Sequence, residues 1–480
     1  MSKNLYLTTT LPYVNSDPHI GFALEIIQAD ALARYWRLMG HEVFFSTGTD
    51  EHGQKIAEKA DEAGQSRQAY VDHYAGEFKK LKEVLGLSYD AFVRTTDAGH
   101  IHAAQEIWKR CEKAGDIYKK KYKGLYCVGD EMFMKENELV DGRCPNHPNL
   151  ELQEIEEENY FFRLSNYQEY LEGYLSKEEV VVPEWRRQEA LTFVRQGLED
   201  FSISREVSRM DWGIPVPDDA GHVMYVWFDA LTNYISTLGW PDDREGNYKK
   251  FWEEGMPMQV AGKDQVRFQS VMWQAILKSA GLAPTARVLY HGFITSGGQK
   301  MSKSLGNVIS PFDLVERYGA EATRYLLLRH VHPFDDTDIT HERLLEWYNA
   351  HLANGIGNQV ARIMKLAETH LSEPVAIEEE SLEASFVEML NRFAIHEALD
   401  LAFEHVQKAD AYIQSSEPFK KIKSGDPEEV LLARADIEKL VRHLYKIAQH
   451  LAPFMPETAE KIKQAIRENK MPASLFVRKE

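Results

Sequence analysis

The first fifty residues carry the pattern that most restricts the fold. Lys3 to Thr9 is a short β-prone run that leads into Leu11-Pro12-Tyr13. Asp17-Pro18 is a turn and helix-start signal, and apolar residues then recur at helical spacing as far as Gly40, the expected stop. His41 to Thr47 reads as a second strand running into the polar segment Thr49-Asp50-Glu51-His52-Gly53. Strand, turn, helix and strand in this order open a parallel, doubly wound α/β sheet of Rossmann-like type. Ligands of such sheets lie at the carboxyl ends of the strands. His19 stands where the helix begins, and the free N–H groups and dipole there favour phosphate.

A second constraint lies far along the chain, in Gly297-Gly298-Gln299-Lys300-Met301-Ser302-Lys303-Ser304-Leu305-Gly306-Asn307. Glycines at both ends let the backbone enter φ > 0, so the segment reads as a mobile loop. Lys300 and Lys303 on such a loop can close over a polyanion and stabilise charge that develops on a phosphate. The string Lys300-Met301-Ser302-Lys303-Ser304 resembles the second signature of the class I aminoacyl-tRNA synthetases. His19-Ile20-Gly21 resembles the first, with Phe22 where the family's last histidine stands. The resemblance implies catalytic roles for His19, Lys300 and Lys303 and an ATP contact at Gly21.

Length and charge bound the rest. At 480 residues the chain exceeds one ordinary core and predicts two or three domains. No apolar run approaches the ~20 residues of a membrane helix, and the N-terminus has neither signal-peptide nor transit architecture. Three cysteines, Cys111, Cys127 and Cys144, argue against a disulfide scaffold and suit a reducing, cytoplasmic location. The net charge of −19 excludes a chain that simply coats nucleic acid, so an RNA partner needs local clusters of Lys and Arg.

Residues 1–118 read as the first half of the sheet domain, with Gln54 to Lys113 mostly helical by period. Residues 119–223 form an inserted α+β lobe, too short for the hydrolytic editing insert of the leucine, isoleucine and valine enzymes. The lobe carries Cys127-x-x-Asp130 and Cys144-x-x-His147. That spacing suits a zinc knuckle, but a carboxylate replaces one thiolate, and the expectation is a relic knuckle with little or no zinc. If zinc is present, its ligands are Cys127, Asp130, Cys144 and His147. Residues 224–339 return to the sheet: Gly262-Lys263-Asp264 follows a short strand, and an Asp there can accept from ribose hydroxyls.

Leu11-Pro12-Tyr13, Thr49 to Gly53, Tyr225 to Ala230, Ala261 to Asp264, His291 to Phe293 and Lys300 to Ser304 together resemble the methionyl-tRNA synthetase family over nearly the whole chain. The resemblance implies a methionine pocket of Leu11, Tyr13, Asp50, Trp227, Ala230, Tyr234, Phe268 and Gln269, the last replacing the family's usual histidine. It implies ATP contacts at His19, Gly21, Gly262, Asp264, Lys300 and Lys303, and more weakly Arg205. ATP would come with Mg²⁺ bound through its phosphates. Asp50 would pair with the substrate ammonium, and the rings suit a thioether.

Residues 340–480 are helical by period and predict an α-bundle, with Glu342 to Leu371 as one long helix and stops near Ser415–Pro418 and Ser424–Pro427. In the family such a bundle grips the anticodon of tRNA(Met). The corresponding residues are Asn358 and Arg362, one helical turn apart, and Phe419, which can stack an unpaired base. No appended dimerising module follows the bundle, so the expectation is a monomer. Two other readings are a class I synthetase for another amino acid, such as cysteine, and a silent tRNA-binding relative, the latter motivated by Phe22 and Gln269.

Overall fold

Leu5-Tyr6-Leu7 is apolar without alternation, as befits a strand covered on both faces, and β1 (Asn4–Thr8) is buried from Leu5 to Thr8. It is central in a parallel sheet with β2 (Glu42–Thr49), β3 (Ala91–Arg94), β4 (Val181–Val182), β5 (Met256–Gly262) and β6 (Arg287–His291). Among the described residues the strand order is β3-β2-β1-β5-β6-β4. Leu7 stands opposite Phe45 of β2 on one side and Met258 of β5 on the other. The order reverses between β1 and β5, which is where a doubly wound sheet opens a ligand crevice. The computed structural model describes residues 3–129, 132–134, 139–145, 147–300, 308–378 and 381–480.

The chain divides into two compact units, Met1–Pro18 with His41–Lys82 and Tyr89–His291, and His19–Gly40 with Glu83–Ser88 and Gly292–Glu480. The first unit holds the sheet and the lobe. The lobe contains an antiparallel sheet built on Ile117–Cys127 paired along its length with Gln153–Phe162. Two strands escaped the periodicity. Ala91–Arg94 lies inside the segment expected to be mostly helical, and Val181–Val182 lies inside the inserted lobe yet pairs with β6. Runs of four and two residues are too short to display a period.

The second unit opens with α1 (Ile20–Leu38), which stops just before Gly40 (φ 80°), as the sequence predicts. Asp30 of α1, fully buried, pairs at 2.8 Å with Arg324 of α2 (Ala320–His330), and Arg324 Nε also donates to the Phe454 carbonyl. Burial alone would raise the Asp30 carboxyl, but Arg324 and Arg34 hold it below its ordinary value. α3 (Asn358–His370) is not the tail of one long helix. A wider, π-type run spans Tyr348–Gly357, and Gly355 leaves helical geometry at φ −86°, ψ −108°. A Cβ at Gly357 would lie 2.9 Å from the Leu352 carbonyl oxygen, so glycine is what permits this close turn. α4 (Ala384–Asn391), α5 (Ile395–Ser416), α6 (Pro418–Ser424), α7 (Pro427–Leu451) and α8 (Pro456–Glu468) follow; the breaks on either side of α6 fall where the sequence placed its stops, whereas those at 392–394 and 452–455 were not among them. No helix among the described residues is long and apolar enough to cross a membrane.

Candidate active site

In the first unit the loops after β1 and β2 are zipped together. Asp50 N donates to the Pro12 carbonyl at 3.0 Å and Val14 N donates to the Asp50 carbonyl at 3.2 Å, forming an isolated parallel bridge between Tyr13 and Asp50. Asp50 is 3% exposed, and Leu11 is half-buried beside this bridge. Trp227 stacks on Phe268 with ring centroids 3.9 Å apart and planes 16° from parallel. Ala230 and Tyr234 are buried on the turns that follow Trp227. Gln269 is buried and donates from Nε2 to the Tyr234 hydroxyl at 2.7 Å. The amide that replaces the family's histidine therefore fixes the tyrosine.

Gly262 closes β5, and Asp264 lies exposed on the turn Lys263–Gln265, accepting from Gln265 Nε2. Arg205 is placed differently. It is 4% exposed, donates to Ser202 Oγ and the Ser204 carbonyl, and lies over the rings of Tyr126 and Tyr225.

Sequence reasoning missed what joins the two halves of the pocket. Asp229 is fully buried and accepts from His52 Nδ1 at 2.7 Å and from His100 Nε2 at 2.8 Å. His52 is two residues beyond Asp50, and Asp229 is two residues beyond Trp227, so this triad brings the carboxylate loop to the aromatic helix. Burial alone would raise Asp229, but the imidazoles of His52 and His100 hold it below its ordinary value. Glu51 is spent the same way: Arg94 donates to it through Nε at 2.6 Å and Nη2 at 2.8 Å. Trp212 Nε1 donates to the Glu51 carbonyl, and Gly53 N to the Trp212 carbonyl. The signal was present in the acidic and histidine residues of both motifs, but without partners attached.

In the second unit His19 is the N-cap of α1. Its Nδ1 accepts from Gly21 N at 3.0 Å, which leaves the ring proton on Nε2, where it can donate to a phosphate oxygen. A Cβ at Gly21 would lie 2.8 Å from the His19 ring, so the Ile-Gly pair is what lets the ring fold over the helix start. Phe22 is buried one turn in. Ile20 N donates to the Ile309 carbonyl, which ties this start to the segment just beyond the lysine signature.

That signature leaves a tight hairpin of β7 (Ile294–Ser296) and β8 (Gln299–Lys300), turned by Gly297 and Gly298 at φ 63° and 74°. Lys300 stands opposite Thr295. Asp338 Oδ1, on β9 (Thr337–Asp338), accepts from Gly298 N at 2.7 Å and from Thr295 Oγ1 at 3.1 Å. Lys303 and the rest of 301–307 lie outside the described residues, as does the side chain of Lys300. Asn358 and Arg362 are exposed one turn apart on α3, and Phe419 is 37% exposed on α6.

The lobe's cysteines converge. His147 Nδ1 lies 4.0 Å from Cys127 Sγ and 3.9 Å from Cys144 Sγ, close to the roughly 3.6 Å separating S and N donors on a tetrahedral zinc. A Cβ at Gly129 would lie 2.3 Å from the His147 ring, so glycine there makes room for the ligand. These three donors fit one zinc ion; Asp130 lies outside the described residues.

A family model described as class I tRNA synthetases (M) matches residues 5–154 and 148–364 of the chain. The methionine–tRNA ligase of Rhizobium meliloti is 42% identical over 474 residues, covering 95% of this chain and 90% of that one. That of Brucella suis is 41% identical over 481 residues, covering 96% and 91%. The methionyl-tRNA synthetase of Mycobacterium tuberculosis in complex with methionyl-adenylate superposes with a TM-score of 0.90 at 36% identity, covering 100% of this chain and 99% of that one. Its free form gives 0.84 at 32% identity over the same shares.

Proposed function

Because the chain belongs to the class I tRNA synthetases (M), we infer that it activates L-methionine with ATP and transfers the methionyl group to the 3′ end of tRNA(Met). The observation that carries the amino-acid choice is the pocket of the first unit. A buried carboxylate, Asp50, stands at the end of β2, and the His52–Asp229 hydrogen bond ties its loop to the Trp227–Phe268 stack. The carboxylate takes the substrate ammonium. Sulfur against aromatic rings contributes ~0.3–1.5 kcal/mol per contact, which suits a thioether. Gln269 and Tyr234, joined by a hydrogen bond of 2.7 Å, would meet the side chain of the substrate.

In the first step a methionine carboxylate oxygen attacks the α-phosphorus of ATP. The bond to the β-phosphate oxygen breaks, giving methionyl-adenylate and pyrophosphate, with Mg²⁺ travelling on the nucleotide. No side chain acts as nucleophile. His19, Gly21, Gly262, Asp264, Lys300 and Lys303 contribute by positioning ATP and neutralising charge on the transferring group. Arg205, buried over the rings of Tyr126 and Tyr225, would be the weaker of the ATP contacts. In the second step a ribose hydroxyl of the terminal adenosine attacks the methionyl carbonyl and AMP leaves.

The deciding experiment is ATP–pyrophosphate exchange with each amino acid in turn. Methionine alone is expected to drive strong exchange; cysteine or leucine doing so better would overturn the assignment, and no exchange with any amino acid would favour a silent relative.

Asp338 should set where the lysine signature starts. Asp338→Ala removes two hydrogen bonds at the base of the hairpin and is expected to slow adenylate formation about tenfold, with methionine affinity unchanged. Asp338→Asn keeps an acceptor oxygen and should recover most of the rate. Single-turnover kinetics with an unaltered chemical step in Asp338→Ala would remove this role.

On the helical side, Arg362→Ala and Asn358→Ala should lower tRNA charging by about ten- to a hundredfold, the usual effect of ~1–3 kcal/mol from a lost base contact. Methionine activation should be untouched. Equal losses in both assays would mean that these residues only hold the fold.

In the lobe, Cys127, Cys144 and His147 would hold zinc as a structural ion, with Asp130 as a harder fourth ligand. Protein purified without chelator is expected to contain well under one zinc per chain, to take up one on titration, and to lose that uptake in Cys127→Ser. Elemental analysis and titration calorimetry decide it. No uptake at all would show that the knuckle is held by packing alone.

A further inference from the structure

The run Lys119-Lys120-Lys121-Tyr122-Lys123 is locally basic in a chain whose net charge is −19, and methionine activation does not use it. Cations interleaved with an aromatic ring are the composition of a surface that follows single-stranded nucleic acid. The run lies on the long lobe strand Ile117–Cys127, along which side chains alternate between two faces. Lys119 and Lys123 share one face and are paired, with Asp219 at 2.8 Å and with Glu154 at 2.5 Å. Tyr118, Lys120 and Tyr122 share the other.

That second face lines a cavity of about 520 Å³ in the first unit. The volume is that of a small-ligand site, roughly 300–1,000 Å³. Phe161 and Phe193 add further rings to its lining. Among the described residues, three cations line it, Lys120, Arg205 and Arg267, against two carboxylates, Glu199 and Asp200. Asp200 is engaged by its neighbours: Tyr118 Oη donates to one oxygen at 2.8 Å and Ser165 Oγ to the other at 2.6 Å. Gly124 leaves no room for a Cβ beside the Tyr122 ring, so glycine there lets the ring lie along its own strand. Arg267 lies 4.5 Å over the Phe193 ring, and Lys120 Nζ is 5.7 Å from the Phe161 centroid. Stacking surfaces and cations therefore meet in one cavity, which matches a flat base joined to a phosphate.

Position selects the nucleotide. Phe268 lines this cavity and also stacks on Trp227 at 3.9 Å, so one ring belongs both to the cavity and to the methionine pocket. When the methionyl group is transferred, the adenosine of methionyl-adenylate still holds the nucleotide site. The terminal ribose of the tRNA needs a separate approach to the methionyl carbonyl, and the nucleotide behind it in the strand needs a place beside that approach.

We propose that the cavity seats the unpaired nucleotide preceding the terminal adenosine of the tRNA, with its base against Tyr122 and its phosphate held by Lys120 and Arg267. The proposal rests on the reading of the chain as a tRNA-charging enzyme. Unpaired bases are held by aromatic faces in this way wherever RNA is bound as a single strand. Tyr122, Lys120 and Arg267 are positioning residues for the second step and touch none of the reacting atoms.

The test measures tRNA charging and methionine-dependent pyrophosphate exchange by the full chain. It uses intact tRNA(Met) and the same tRNA lacking the base of the nucleotide before the terminal adenosine. Tyr122→Ala is expected to lower kcat/KM for charging intact tRNA by about five- to a hundredfold, with exchange unaltered and with most of the rate kept in Tyr122→Phe. The parent should charge the abasic tRNA about as slowly as Tyr122→Ala charges the intact one, and Tyr122→Ala should lose nothing further on the abasic tRNA. Lys120→Gln and Arg267→Gln, both at exposed positions, should each reduce the salt dependence of charging by about one counterion. Equal losses in Tyr122→Ala on both tRNAs would overturn the proposal, because the ring would then act through the fold. A raised KM for ATP in exchange would also overturn it, by placing free nucleotide in the cavity in place of the tRNA strand. A parent that activates methionine, with Tyr122→Ala, Lys120→Gln and Arg267→Gln charging intact tRNA at the parent rate and salt dependence, overturns this proposal alone. A parent that activates no amino acid overturns the functional reading on which it rests.

Discussion

Replacing Asp50 by alanine is expected to reduce kcat/KM for methionine in pyrophosphate exchange by about 2–5 kcal/mol, roughly thirty- to several-thousand-fold. The carboxylate is 3% exposed, so the ammonium it receives is largely withdrawn from water, and truncation leaves that charge without its counterion. The backbone of Asp50 is held by the Pro12 carbonyl and by Val14 N, neither of which the substitution touches. The thermal midpoint should therefore move little while activity collapses. Asp50→Asn keeps the shape and one acceptor oxygen and should lose less. Exchange by Asp50→Ala within about threefold of the parent would remove Asp50 from the pocket.

The second large effect falls on stability. Asp229→Ala is expected to cost about 3–5 kcal/mol in urea unfolding, because it strips the common partner from two buried histidines. It should also raise KM for methionine, since the carboxylate links the loop of Asp50 to the helix of Trp227. Asp229→Asn retains one acceptor and should be milder. The pH dependence has a definite sign. The folded pKa of Asp229 lies below its ordinary 3.8, so its contribution is fully present above that value and is lost as pH falls through the folded value. As pH falls below that ordinary value, the parent should lose stability more steeply than Asp229→Ala. Parallel curves for the two proteins, or a loss under ~1 kcal/mol, would show that the triad does not hold the pocket together.

Much of this was legible before any coordinates. The apolar run of β1, the turn at Asp17-Pro18 and the stop at Gly40 are local signals, and strand, helix and strand formed where they stood. Helix breaks at Ser416–Pro418 and Ser424–Pro427 followed from proline and from the turn residues around it. Asp50 and the aromatic residues of the pocket came from the resemblance to the methionyl-tRNA synthetase family, which also gave them a chemistry suited to a methionine. The strand, helix and turn signals share one property: each is set by residues a few positions apart, within the reach of helix period, capping and turn geometry.

The remainder required the folded backbone. Ala91–Arg94 and Val181–Val182 are strands only because neighbours in the sheet complete their hydrogen bonding. α1 belongs with the C-terminal helices because Asp30 meets Arg324, and no local pattern announces that pairing. Gln269 reads as a damaged histidine until its amide is found on the Tyr234 hydroxyl, 35 residues away. His52 and Asp229 are separated by 177 residues and lie 2.7 Å apart. A buried charge is tolerable only beside its partner, and which partner that is depends on where the sheet and its connections bring the chain back.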